Sequence, residues 1–389
     1  MTLSRSETAQ GGLEQVATVD RVASLTGIRA VAAILVVATH AAYTTGKYTH
    51  GYVGLVWSRM EIGVPIFFVL SGFLLFRPWV KAAAAGGAAP SVSRYAWHRV
   101  RRIMPAYVVT VLGAYLLYHF FAQSLASGYN PGHTWIGLLR NLTLTQIYAD
   151  HYVYGGYLHQ GLTQMWSLAV EVAFYVALPV LAYLLLVVLC QRAWRPGLLL
   201  AGLAGLVAIT PAWLVVAHTV SWLPYAARLW LPSYLAWFVV GMMLAVLQAM
   251  GARCYAFAAL PLAVVSYFIV ATPIAGAPTT SPTGLSEALV KAGFYAAIAG
   301  LLVAPLALGN RGWYPRLLAS KPMVWLGEIS YEIFLIHLVL MNVALVKVVR
   351  YPVYTGSMLV LFVVTLALTI PLSWLLHRFT RVRPQPLAG

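Results

Sequence analysis

An apolar run of about twenty residues recurs along nearly the whole chain, and each is long enough to cross a bilayer as a helix. No segment of about ten residues alternates apolar and polar positions as a membrane β-barrel would. A spanning run in lipid must satisfy its own backbone, so the expected fold is an all-α polytopic membrane protein. About ten transmembrane helices are expected, roughly at 25–45, 61–80, 103–121, 163–190, 198–220, 228–250, 254–274, 287–308, 325–346 and 356–377. The composition agrees: 61% of the 389 residues are hydrophobic and 9% charged, against about 25% charged in soluble domains. The first residues, "MTLSRSETAQGGLEQVATVD", are polar and lack the apolar core of a cleaved signal peptide. The expected organisation is a tail at 1–24, one membrane domain at 25–377 and a basic tail at 378–389.

Lys and Arg set the expected orientation. With the N-terminus cytoplasmic, 18 of the 25 Lys and Arg fall on the inner side, which places both termini in the cytoplasm. The net charge of +16 is thereby explained by topology, and no nucleic-acid partner is expected. A multi-pass protein of the inner, plasma membrane fits this pattern. Cys190 and Cys254 are too few and too far apart for a disulfide framework or a metal motif, so no metal is expected.

The first helix, "GIRAVAAILVVATHA", carries Arg29 and His40. Eleven residues turn about 1100° and rise about 16 Å, so both side chains lie on one stripe. Ionisable groups at such depth are costly and face a protein interior or a wet cavity. Arg29 also reads as a snorkelling anchor at the inner edge. Counting rise along the fourth helix puts Glu171 about 12 Å below the outer face; the same count along the ninth gives about the same depth for His337. His40 falls near that level. Two histidines and a carboxylate in one plane would suit proton transfer, or a structural His–Glu pair locking the bundle.

At these residues the chain resembles the acyltransferase-3 family of integral-membrane O-acyltransferases. Five ordered motifs carry the resemblance: the Arg29–His40 stripe; "GVPIFFVLSGFLL" from Gly63; "RVRRIMP" from Arg99; "WSLAVEVAFY" from Trp166; and "LGEISYEIFLIH" ending at His337. Two departures stand out. The tail "HRFTRVRPQP" lacks the acid of the family's Phe-x-Glu-x-Pro-like end, and Val172 follows Glu171 where many members have a second Glu.

The resemblance implies transfer of an acyl group, usually acetyl from cytoplasmic acetyl-CoA, to a hydroxyl outside. The acceptor would be an envelope sugar, glycan or glycolipid, with a lipid-linked sugar such as a trehalose glycolipid the leading expectation. His40 would be the general base, with Glu171 and His337 assisting. Arg29, Arg94, Arg99, Arg101 and Arg102 would hold the CoA phosphates; the same cluster is also what positive-inside topology requires. Trp166 and Tyr175 would pack around the substrate, and Asp150 and His159 belong to a Tyr-rich outer segment, 122–162, that could cover the acceptor. Ser71 reads as a packing residue of "LSGF" rather than a nucleophile. Glu328 and Glu332 could pair with inner-side cations. The rival expectation is a proton-coupled transporter or flippase of an envelope glycolipid, since intramembrane His and Glu also serve proton relays.

Overall fold

The structure is a computed structural model. It describes residues 4–125, 130, 132–148, 158–277, 284–309 and 312–381, with the backbone alone for 4–21 and 122–125. Its helices, in chain order, are α1 (Ser4–Thr44), α2 (Gly51–Ser58), α3 (Gly63–Ala84), α4 (Val92–Leu125), α5 (Trp135–Leu142) and α6 (Met165–Tyr183). There follow α7 (Pro196–Val207), α8 (Ile209–Thr219), α9 (Leu231–Ala249), α10 (Ala256–Val270) and α11 (Leu285–Ala307). The chain closes with α12 (Trp313–Leu318), α13 (Lys321–Glu328), α14 (Ser330–Val343) and α15 (Met358–Thr380). Among the described residues there is no strand, so the chain is an all-α polytopic membrane protein. The polar stretch before residue 25 continues the first span as helix, because α1 begins at Ser4.

Nine helical spans among the described residues are long and apolar enough to cross a membrane. Each coincides with one of the expected runs. The remaining run, 254–274, forms the 15-residue α10, which reaches about 22 Å where the hydrocarbon core needs about 30 Å. Its stop is chemical. Pro273 cannot extend the helix, and Arg59, fully buried, donates from Nε to the Val270 carbonyl at 3.1 Å. Its Nη2 reaches the carbonyls of Ala275 and Gly276 at 3.0 and 2.7 Å.

In a bilayer, burial away from water does not drive helices together, so small residues that let backbones approach do much of that work. A Cβ built on Gly72 of α3 would stand 1.9 Å from the Phe238 carbonyl of α9, and one on Gly241 of α9 would stand 1.9 Å from the Val69 carbonyl of α3. The two helices therefore meet backbone to backbone at reciprocal glycines. A second pair acts the same way: Gly27 of α1 abuts the Leu318 carbonyl at the end of α12, and Gly327 of α13 abuts Thr26. Stacked Phe68, Phe238 and Phe174, with centroids 4.3 and 4.1 Å apart, carry the contact on to α6.

Gly72→Ala is expected to cost at least about 1–3 kcal/mol, because the neighbour is backbone and cannot rotate away. The thermal midpoint in detergent measures it, and an unchanged midpoint would mean that α3 and α9 do not meet here.

Candidate functional site

The end of the bundle that holds Arg29 contains a cavity of about 360 Å³. Helix geometry decides which basic residues reach it. Arg99, Arg102 and Ile103 are three and four residues apart on α4 and share the face that lines it, together with Arg29 of α1 and Arg77 of α3. Arg94 and Arg101 lie off that face: Arg94 is exposed, and Arg101 sits 5.8 Å over the Trp97 ring. Arg99 keeps its buried Nε without a partner, and Arg77 donates from Nε to Gln248 Oε1 at 2.7 Å.

The opposing carboxylate on the lining is Glu171. Its Oε1 accepts hydrogen bonds from Ser71 Oγ and from Tyr175 OH at 2.6 Å. Residues 167, 168, 171 and 175 form one face of α6 turned to the cavity. Four guanidinium groups against one carboxylate give this chamber a strong preference for anions. Tyr331 of α14 also lines it and donates to the Ile103 carbonyl at 3.1 Å, closing the wall between α14 and α4.

His40 and His337 meet one another beyond this chamber. His337, 0% exposed, has Nδ1 2.8 Å from the Phe334 carbonyl and 3.1 Å from that of Ile333. A carbonyl can only accept, so Nδ1 bears the proton and Nε2 is left as a lone pair. That Nε2 lies 3.2 Å from His40 Nδ1, which is also 2.8 Å from the Val36 carbonyl. Both neighbours accept, so His40 Nδ1 donates to them jointly and His40 Nε2 is the free lone pair. The ring is thus fixed in one tautomer with its basic nitrogen unspent.

The expected single plane therefore divides in two. Glu171 bonds to Ser71 and Tyr175 instead of a histidine, and neither His40 nor His337 lines the chamber. Phe67 and Phe334 form the chamber wall on the histidine side: their rings are 6.4 Å apart, and Phe334 is 6.0 Å from the His337 ring. A second carboxylate, Glu61, stands in the single 3₁₀ turn Arg59–Ile62 before α3. Glu61 forms an ion pair with Lys291 of α11 and accepts from Tyr295 OH at 3.0 Å.

The other expected residues fall elsewhere. Trp166 packs on Tyr234, centroids 5.1 Å apart, away from the chamber lining. His159 is fully buried between Tyr115 and Tyr118. Its Nδ1 accepts from the Gly161 amide at 3.2 Å, and its Nε2 lies 3.2 Å from His133 Nδ1. Burial, then the neighbouring His133, holds its pKa down to about 3, so it is neutral at physiological pH. Its place is to pin residues 158–162 onto α4. Asp150 lies outside the described residues. Glu332 pairs with His377 at 2.9 Å.

Glu61 and Arg77 were not singled out by sequence reasoning. Glu61 carried a signal, being one of nine acids and standing directly before "IGVPIFF".

The comparisons with known proteins agree with the fold. The acyltransferase-3 family profile, described as an acyltransferase domain, matches residues 22–378. Acyltransferase MdmB of Streptomyces mycarofaciens is 31% identical over 196 residues, covering 49% of this chain and 46% of that protein. Peptidoglycan O-acetyltransferase OatA of Listeria monocytogenes is 29% identical over 210 residues, covering 51% of this chain and 29% of that protein. The matched regions thus span less than half the length of either relative. No solved structure matches. Since the family profile runs through nearly every described helix and over both histidines, the chain belongs to the acyltransferase-3 family.

Proposed function

We propose that the protein is a membrane O-acyltransferase that moves an acyl group, acetyl first among candidates, from cytoplasmic acyl-CoA to a hydroxyl on an envelope sugar or glycolipid. The observation that carries this reading is the locked tautomer of His40, whose Nε2 lone pair is held ready about 16 Å along α1 from Arg29 on the wall of the arginine-lined chamber. An acceptor hydroxyl becomes a competent nucleophile when a positioned base removes its proton as it attacks the thioester carbon. His40 Nε2 is that base, and His337 sets its tautomer. Arg29, Arg99 and Arg102, with Arg77, suit the phosphates of CoA, since guanidinium groups bind phosphate oxygens through paired, charge-assisted bonds.

The extended pantetheine arm then runs along the Arg29–His40 stripe, carrying the thioester past Phe67 and Phe334. Glu171, held by Ser71 and Tyr175, orders the arginine side of the chamber. Two relatives named as an acyltransferase and a peptidoglycan O-acetyltransferase support the reaction class. Among acceptors we favour a lipid-linked sugar such as a trehalose glycolipid, and we place the enzyme in the plasma membrane with its arginine end toward the cytoplasm, the side basic residues prefer.

The direct test is purified protein with isotopically labelled acetyl-CoA and a panel of envelope glycolipids and glycans, read by mass spectrometry. Label appearing in an ester on one acceptor is expected; label on none, with free CoA unreleased, would reject the reading. Arg99→Gln with Arg102→Gln should raise the KM for acyl-CoA about 10–100-fold while changing kcat little, the loss of charge-assisted bonds made equally in ground and transition states. A fall in kcat alone, or lost expression without a KM effect in the single variants, counts against the phosphate role.

A further inference from the structure

The chamber changes character along its length. On α3 its lining runs from Arg77 to Val64, thirteen residues or about 20 Å. Arg77, with Arg99 and Arg102 of α4, makes one end cationic, and Ser71 with Glu171 stands midway. The far end is apolar, formed by Val64, Phe67 and Phe68 of α3, Leu168 of α6 and Phe334 of α14. Such a cavity suits a ligand with anionic groups at one end and a small apolar group at the other.

Phe67 and Phe334 close the apolar end, their rings meeting edge to face with centroids 6.4 Å apart. On α14, Ser330, Tyr331 and Phe334 line the chamber, and His337 lies three residues further along the same face. On α3, Gly63 stands next to Val64 and abuts the Ala32 carbonyl and the Val36 side chain of α1. Val36 is one turn before His40, so the chamber stops about 6 Å short of the level of His40. The α1 residues at that step are closely packed: Ala32, Ala33, Val36 and Val37 are at most 1% exposed.

We propose that the Phe67–Phe334 pair is a gauge for the acyl group, passing acetyl to His40 and turning longer chains away. The inference rests on the acyl-transfer reading and adds to it the class of donor, a short-chain acyl-CoA. Phosphates held at the arginine end fix one end of the donor, so the length of the other end decides what meets the two rings. Acetyl adds only a methyl beyond the thioester carbonyl. Each further methylene must spread an edge-to-face ring pair in which Phe67 also packs against both large buried clusters of the bundle. A close-packed interior resists added methylenes, and an apolar pocket discriminates by about 10–200-fold for one of them.

The experiment offers equimolar acetyl-CoA and hexanoyl-CoA together to purified protein with the panel of envelope glycolipids and glycans, and reads both esters by mass spectrometry. Their ratio is the ratio of the two kcat/KM values, so a partial loss of folded protein leaves it unchanged. The native protein is expected to form acetyl ester in about 100-fold excess or more. Phe67→Ala and Phe334→Ala should each move the ratio about tenfold or more toward hexanoyl. Phe67→Leu and Phe334→Leu disturb the packing less and should move it the same way, which keeps the test open if alanine unfolds the protein. Phe76→Leu is the control: nine residues from Phe67, it is buried on the opposite face of α3 and off the chamber lining, and should leave the ratio as it is. A native ratio near one, a ratio unmoved by substitution at both positions, or an equal shift in Phe76→Leu would overturn the gauge while acyl transfer stands. Ester from neither donor in the native protein would reject the functional reading, and the gauge with it.

Discussion

His40→Ala is expected to lower acyl transfer about 10²–10⁴-fold, the range that a positioned general base contributes. The effect should fall on kcat, because the imidazole acts only as the hydroxyl proton moves. The fold should survive: His40 is only partly buried, and its removal frees just the His337 Nε2 and Val36 carbonyl acceptors. His337→Gln is expected to be milder, since Val36 still holds the His40 Nδ1 proton at 2.8 Å. Steady-state turnover with labelled acetyl-CoA checks both, beside circular dichroism and gel filtration in detergent. A His40→Ala protein that is monodisperse and within tenfold of the native rate removes His40 as the base.

The second large effect is on stability. Glu61 and Lys291 form a buried ion pair with side chains 21% and 10% exposed, and fully buried Arg59 lies beside them with Nη1 unpartnered. Glu61→Ala leaves two cations in the interior with no carboxylate to answer them. Breaking one side of such a pair costs about 3–5 kcal/mol, whereas replacing both partners with apolar residues is often close to neutral. Glu61→Ala should therefore unfold far earlier on heating in detergent, and Glu61→Leu with Lys291→Met should recover most of the loss. A single variant within about 1 kcal/mol of native would mean that Lys291 has another route to satisfaction.

Much of this arrangement was legible from spacing alone. The apolar runs fixed the spans because hydrophobic length is what a bilayer selects. Counting rise brought His40 and His337 to one level, and their ring nitrogens stand 3.2 Å apart. The same count did not bring Glu171 to the histidines. Rise measures depth but says nothing of azimuth or tilt, and α6 turns that carboxylate toward Ser71 and the arginines. The split among the arginines follows from spacing: 99 and 102 share one helical face, and 94 and 101, seven residues apart, share another. Glu61 was beyond such counting, since it sits in a 3₁₀ turn between helices where neither rise nor face is fixed by periodicity. Why α10 is short needed Arg59, whose carbonyl partners are 211–217 residues away in the chain.

The two pairs of glycines on α1, α3, α9 and α13 have a mechanical consequence. Helices in contact through main chain have no side-chain layer to slide upon, so α1 with α13, and α3 with α9, behave as two stiff struts. Arg29 and His40 ride on the first strut and Ser71 on the second. Breathing of the chamber must then arise on its remaining walls, through α4, α6 and α14, which hang their arginine, carboxylate and phenylalanine side chains on an unyielding frame.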